Sequence, residues 1–154
     1  HPRSALVVVT APGPGSGKMA VCLSQQNQFL WFFCTSTLEH SITRRWMQLG
    51  SSDRVLLRET LWHAYINLSS GAQKRQRDTY AVLIAQMGKR EFPDEDPNYF
   101  MHCITLVKSN FVLGICLLRT TSEEVMSCRE DITTDRKQYF QFILCKAMLC
   151  KAQI

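Results

Sequence analysis

The chain has no uninterrupted apolar run near the ~18 residues that a membrane-spanning helix needs. Its longest apolar stretches, around Phe29–Cys34 and Phe111–Leu118, are the size of buried core segments. No two cysteines stand at CxxC spacing, and the seven present (22, 34, 103, 116, 128, 145 and 150) are an odd number. A disulfide framework is thereby excluded, and the expectation is reduced, buried thiols in a cytosolic or nuclear protein. Charge of one sign is not in large excess either, with a net +5 over 154 residues. The cations fall in short clusters, Arg44-Arg45, Lys74-Arg75-Gln76-Arg77 and Lys89-Arg90, and not in a continuous stripe. That pattern suits an acidic protein partner at least as well as nucleic acid. No secretory leader is visible, and His1-Pro2-Arg3 without an initiator methionine reads as a fragment or processed product. What remains, 45% hydrophobic and 20% charged, is ordinary globular material for one domain.

The stretch from Gln73 to Leu118 organises the rest. Arg77 to Glu91 carries Tyr80, Leu83, Ile84 and Met87 at the spacing of one helical face. Phe92-Pro93-Asp94-Glu95-Asp96-Pro97 ends that helix, because proline disfavours helical geometry in the residue before it. Asp96 is expected as the N-cap of the next helix, with Pro97 at its first position and Phe100, Cys103, Ile104 and Val107 on its buried face. Lys108-Ser109-Asn110 breaks the chain again before the run Phe111–Leu118. On the N-terminal side, Leu30, Phe33, Leu38, Ile42 and Trp46 predict one helix, with Gly50 as its stop. Leu57, Leu61, Ala64, Tyr65 and Leu68 predict another. After a polar hinge at Cys128-Arg129-Glu130-Asp131, a last helix carries Phe140, Ile143, Leu144 and Ala147. Six helices with short loops form about three antiparallel pairs recurring at roughly forty residues, the range of HEAT-type repeats. The fold expectation is all-α: HEAT-like antiparallel helical hairpins, an α-solenoid fragment, over 28–154.

Residues 1–27 form a short non-repeat leader. Ala5–Thr10 is a strand candidate, and Ala11-Pro12-Gly13-Pro14-Gly15-Ser16-Gly17-Lys18 precedes Met19–Leu23, which can open a helix. Strand, glycine-rich loop, lysine and helix is the layout of a phosphate-binding loop. On that alternative reading Gly15, Ser16, Gly17 and Lys18 bind a nucleotide. Pro12 in place of the first glycine and Met19 in place of the magnesium-binding hydroxyl depart from the motif. The leader, from about residue 4 to Gln25, separately resembles a bacterial protein family of uncharacterised function.

Three phrases carry a further resemblance. Phe33-Cys34-Thr35-Ser36-Thr37-Leu38-Glu39-His40-Ser41-Ile42-Thr43-Arg44-Arg45-Trp46 is similar to an N-terminal HEAT helix of the importin-β/exportin superfamily. Arg77 to Pro93, ending Met87-Gly88-Lys89-Arg90-Glu91-Phe92-Pro93, resembles an exportin-type segment in which an Ile-Gly-Lys-Arg-Asp-Trp-Pro-like phrase precedes the next repeat. Leu117 to Val125, followed by Cys128-Arg129-Glu130-Asp131, looks most like exportins that carry profilin–actin. The three keep their order and spacing over Gln28–Lys137, whereas the leader and the tail after Gln138 depart. The resemblance implies a slice of about three repeats from a nuclear export receptor. Such a receptor binds Ran-GTP and protein cargo, moves between nucleus and cytoplasm, and needs no cofactor and no catalysis.

The residues themselves give one candidate partner-binding set: Lys74, Arg75 and Arg77, with Lys89 and Arg90 further along. The first three load positive charge onto a helix start, which opposes the helix dipole by ~0.3–1 kcal/mol each. An acidic partner offsets that cost, and solvated, snorkelling side chains are the plainer account. Cys34 with His40, and His102 with Cys103, are too few ligands for a zinc site. Trp46, Trp62 and Phe92 suit packing between helices, and Asp94-Glu95-Asp96 suits capping. Open ends of such a stack expose apolar faces and favour self-association.

Overall fold

The structure is a computed structural model that describes residues 6–10, 18–22, 28–68, 70–127 and 134–149, the strands by their backbone alone. It has the expected all-α, HEAT-like class, with six α-helices among the described residues. They are α1 (Gln28–Arg44), α2 (Ser51–Ile66), α3 (Lys74–Glu91), α4 (Tyr99–Ser109), α5 (Phe111–Met126) and α6 (Thr134–Leu149). The chain divides into two compact units, His1–Ala64 and Tyr65–Ile154.

In the first unit, β1 (Leu6–Thr10) and β2 (Lys18–Cys22) pair antiparallel, Leu6 opposite Cys22 and Thr10 opposite Lys18. Here the expectation is corrected. Lys18 opens a strand, not a helix, so no helix N-terminus follows the glycine-rich loop to hold an anion. The alternating Val7, Val9, Met19 and Val21 suit a hairpin at least as well as a helix start. Gly15, Ser16 and Gly17 lie outside the described residues. The nucleotide-binding reading therefore loses the geometry it needs.

In α1 the buried positions are Trp31, Cys34, Thr35, Leu38 and Ile42, with Trp46 in the short 3-10 turn beyond. Leu30 and Phe33, expected on that face, are instead exposed. The spacing 31, 34, 38, 42 keeps to one helical stripe, and with aromatics at 29, 31, 32 and 33 the pattern had two near-equal solutions. In α2, Leu57, Leu61 and Tyr65 are buried, as expected.

The second unit is built on α5. Asp78 meets Cys116 and Lys89 meets Glu124, so α3 and α5 run parallel. Tyr99 meets Thr121 while Val107 meets Gly114, so α4 runs antiparallel to α5. Phe140 of α6 packs on Phe92 and Phe100 at ring distances of 5.2 and 5.8 Å, setting α6 beside α4. Up, down, up for α3, α4 and α5 over short corners is the helical-hairpin arrangement. Tyr80, Leu83, Ile84 and Met87 on α3, and Phe100, Cys103 and Val107 on α4, are buried as the periodicity predicts. Within α5 the buried face is Leu113, Leu117, Thr121 and Val125 with Gly114 and Leu118 beside it.

Two corners differ in their chemistry. Asn110 caps α5, its side chain accepting from the Leu113 N–H at 3.3 Å. The cap expected at Asp96 is not formed. Helix α4 starts only at Tyr99, and Asp96 is buried, with its backbone carbonyl accepting from the Tyr99 N–H at 3.4 Å. Pro97 lies in the preceding turn instead of opening the helix. Ile143, Leu144 and Ala147, and the hinge at 128–131, lie outside the described side chains.

Helices pack closely at two glycines. A Cβ on Gly114 would lie 2.5 Å from the backbone of Val107, and one on Gly88 would lie 2.4 Å from the Tyr99 ring. Alanine raises helix propensity by ~1 kcal/mol, but overpacking costs ~1–3 kcal/mol. At Gly114 the obstacle is main chain and cannot rotate away. Gly114→Ala is therefore expected to lower stability by ~1–2 kcal/mol, read as a lower urea midpoint by circular dichroism at unchanged slope.

Candidate functional site

The cations expected to meet a partner separate into two groups. Lys74, Arg75 and Arg77 form the first turn of α3, with Lys74 and Arg75 exposed and Arg77 half-buried. Lys74 is ion-paired to Asp78 one turn on, and the Arg77 Nε lies 3.9 Å from the same carboxylate. The Cys116 thiol donates to Asp78 Oδ1 at 3.6 Å. The Lys74 hydrogen bond, ahead of the Cys116 and Arg77 contributions, holds the Asp78 carboxyl below its ordinary range.

Lys89 and Arg90 go elsewhere. The Lys89 side chain is fully buried, its ammonium 2.9 Å from Glu124 Oε2 on α5. Arg90 is half-buried and donates to the Gln86 carbonyl at 2.7 Å. Lys89 thus ties α3 to α5 and presents no charge at the surface. Nothing in the local sequence distinguishes it from Arg90; only the neighbouring helix does.

Beside the first group lies an open groove of about 260 Å³ between α3 and α5. Lys74, Arg77, Asp78, Phe111, Val112, Ile115, Cys116 and Arg119 line it. Phe111 and Val112 are 63% and 57% exposed, although the run they begin reads as core in the sequence. The helical period could have separated them. Leu113 and Leu117 point one way, while 111, 112, 115 and 119 share the other. Arg119 adds a third cation, 3.6 Å from Glu123.

Burial pushes the Cys103 thiol well above its usual range, so it stays a neutral thiol. Burial likewise raises Tyr65, which donates to the Leu113 carbonyl at 2.8 Å, and Tyr99. Thr121 gives its one proton to the Leu117 carbonyl at 2.8 Å, so Tyr99 must donate to Thr121 across 2.7 Å. Cys34 and Cys116 are buried, as expected, whereas Cys145 is exposed because its position on α6 faces away from Phe140. Among the described residues, no three His, Cys, Asp or Glu side chains group as a metal site, and no helix is long and apolar enough to cross a membrane.

Known proteins resemble the two parts of the chain separately. Residues 1–29 match a family described as "Domain of unknown function DUF1846, N-terminal". Exportin-6 of Homo sapiens and of Mus musculus are each 24% identical over 123 residues, covering 79% of this chain and 11% of theirs. Exportin-6-A of Xenopus laevis is 26% identical over 125 residues, with the same coverage. No solved structure matches. The likeness supports an exportin relationship. The chain spans about a tenth of the length of these exportins. The exportin-like phrase Gly88-Lys89-Arg90-Glu91-Phe92-Pro93 is almost wholly occupied with internal packing. Gly88 admits Tyr99, Lys89 holds Glu124, and Phe92 packs edge-on to Phe100 at 5.0 Å.

Two expectations follow from this geometry. Lys89→Ala removes both the buried stem and the ion pair, so it is expected to cost ~2–4 kcal/mol in a denaturant titration, against under ~1 kcal/mol for Arg90→Ala. Because Asp78 is more acidic folded than unfolded, its stabilisation is complete above the ordinary aspartate pKa of about 4 and is lost as pH falls through the lower folded value. The melting-temperature gap between wild type and Asp78→Asn is expected to be widest near neutrality and to close below that range. A gap that does not change with pH would count against the ionised Asp78 cluster.

Proposed function

We propose that this chain is a protein-binding segment of the nuclear export receptor type, contacting Ran-GTP, protein cargo or both, and catalysing nothing. The exportin-6 relatives that run along 79% of the chain are the observation that carries this reading. The helical hairpins support it, since stacked amphipathic helices suit protein recognition. So does the cationic start of α3, where Lys74, Arg75 and Arg77 offer positive charge to an acidic surface. On this reading the chain works in nucleus and cytoplasm, with profilin-bound actin as the cargo to try first.

The test is retention of purified Ran by the immobilised chain, with Ran loaded in parallel with GTP and GDP. The expected result is retention in the GTP form alone. Reversal of Lys74, Arg75 and Arg77 to glutamate is expected to weaken retention by about tenfold and to flatten its dependence on salt. Equal retention of both nucleotide forms, or of neither Ran nor profilin–actin, rejects the reading.

A further inference from the structure

Apolar side chains and cations alternate along one face of the second unit. Phe111, Val112 and Ile115 lie exposed on α5 in line with Arg119, and Lys74 and Arg77 border them from α3. At the helical rise, Phe111 to Arg119 covers about 12 Å, a little over two turns. Exposed apolar residues gathered in this way, and rimmed by polar groups, mark interaction surfaces. The space of about 260 Å³ is open and below the ~300–1,000 Å³ of pockets that enclose small ligands. It suits the edge of a peptide laid along it.

Charge narrows the choice of occupant. Three cations line the groove against one carboxylate, Asp78, which Lys74 and Arg77 already face. Arg119 meets Glu123 at 3.6 Å with both side chains well exposed, a contact weak enough for a partner's acid to replace. We propose that this groove binds an acidic amphipathic helix. Its apolar stripe rests on Phe111, Val112 and Ile115, and its carboxylates face Lys74, Arg77 and Arg119. The proposal shares Lys74 and Arg77 with the reading above but concerns a peptide and not a folded GTPase, and Ile115 and Arg119 belong to the groove alone.

Fluorescence anisotropy with the full chain tests it. The probe is a labelled synthetic helix of about four turns with leucine at i, i+3, i+4 and i+7 and glutamate elsewhere. A scrambled peptide of the same composition and a lysine-for-glutamate version serve as controls. The acidic amphipathic probe is expected to bind about tenfold or more tighter than both controls. Ile115→Glu and Arg119→Glu should each weaken it about tenfold, and Arg119→Glu should also reduce the salt dependence, with circular dichroism unchanged. Equal binding of the scrambled peptide, or undiminished binding in both variants, overturns the proposal. A concentration-dependent dimer that Ile115→Glu abolishes, with no probe bound, also overturns it, in favour of a contact between copies of this chain. Ran retention measured on the unsubstituted chain keeps the two readings apart. No probe binding there with GTP-dependent retention intact rejects the groove alone, and probe binding without GTP-dependent retention rejects the export reading alone.

Discussion

Close approach of helix backbones is the constraint on which the Tyr65–Ile154 unit depends. With no side chain at Gly114, α4 can press Val107 directly against α5. With none at Gly88, the Tyr99 ring can lie against α3. Only from that position does the Tyr99 hydroxyl reach Thr121, which passes its own proton to the α5 carbonyl of Leu117. The Tyr99 and Thr121 hydroxyls are thereby satisfied inside the helix interface, where leaving one unpaired costs ~1–3 kcal/mol. The Lys89–Glu124 pair then joins the far ends of α3 and α5.

That dependence explains why an exportin-like phrase can consist largely of residues engaged in internal packing. Gly88, Lys89 and Phe92 each answer to a neighbour on another helix: Tyr99, Glu124 and the cluster of Phe100, Tyr139 and Phe140. A likeness at 24% identity can persist in such packing positions while exposed faces diverge, because the backbone distance tolerates few alternatives. The surface proposed for a partner is formed by other residues, chiefly the start of α3 and the outward stripe of α5.

The same logic separates the leader from the helices. Its strand pairing uses Lys18 as the start of β2, so the lysine is held by a ladder and not at the mouth of a helix. A glycine-rich loop with a lysine is a local pattern, and phosphate binding needs the helix that should follow it. Among the buried thiols and phenols, desolvation drives Cys103, Tyr65 and Tyr99 toward their neutral forms. They serve as packing and hydrogen-bonding groups, the use a scaffold makes of them.

Helix positions in α2 to α5 were legible in the sequence because each carries an unambiguous apolar stripe at the helical period, with Pro93 and Asn110 marking corners. The stripe was ambiguous in α1, where aromatics at 29, 31, 32 and 33 point all round the helix. There Trp31 and Cys34, not Leu30 and Phe33, take the buried side. The start of α4 was misread because a capping pattern is local, whereas the burial of Asp96 is decided by its surroundings. By itself, then, the order of residues determined the helices that follow residue 28, their turns and their clusters of charge, since periodicity and proline act over a few residues. Tertiary structure alone decided that Lys89 is internal, and strand pairing decided that Lys18 belongs to β2. Each outcome depends on a neighbour beyond the adjacent residues, Glu124 for Lys89 and Thr10 for Lys18.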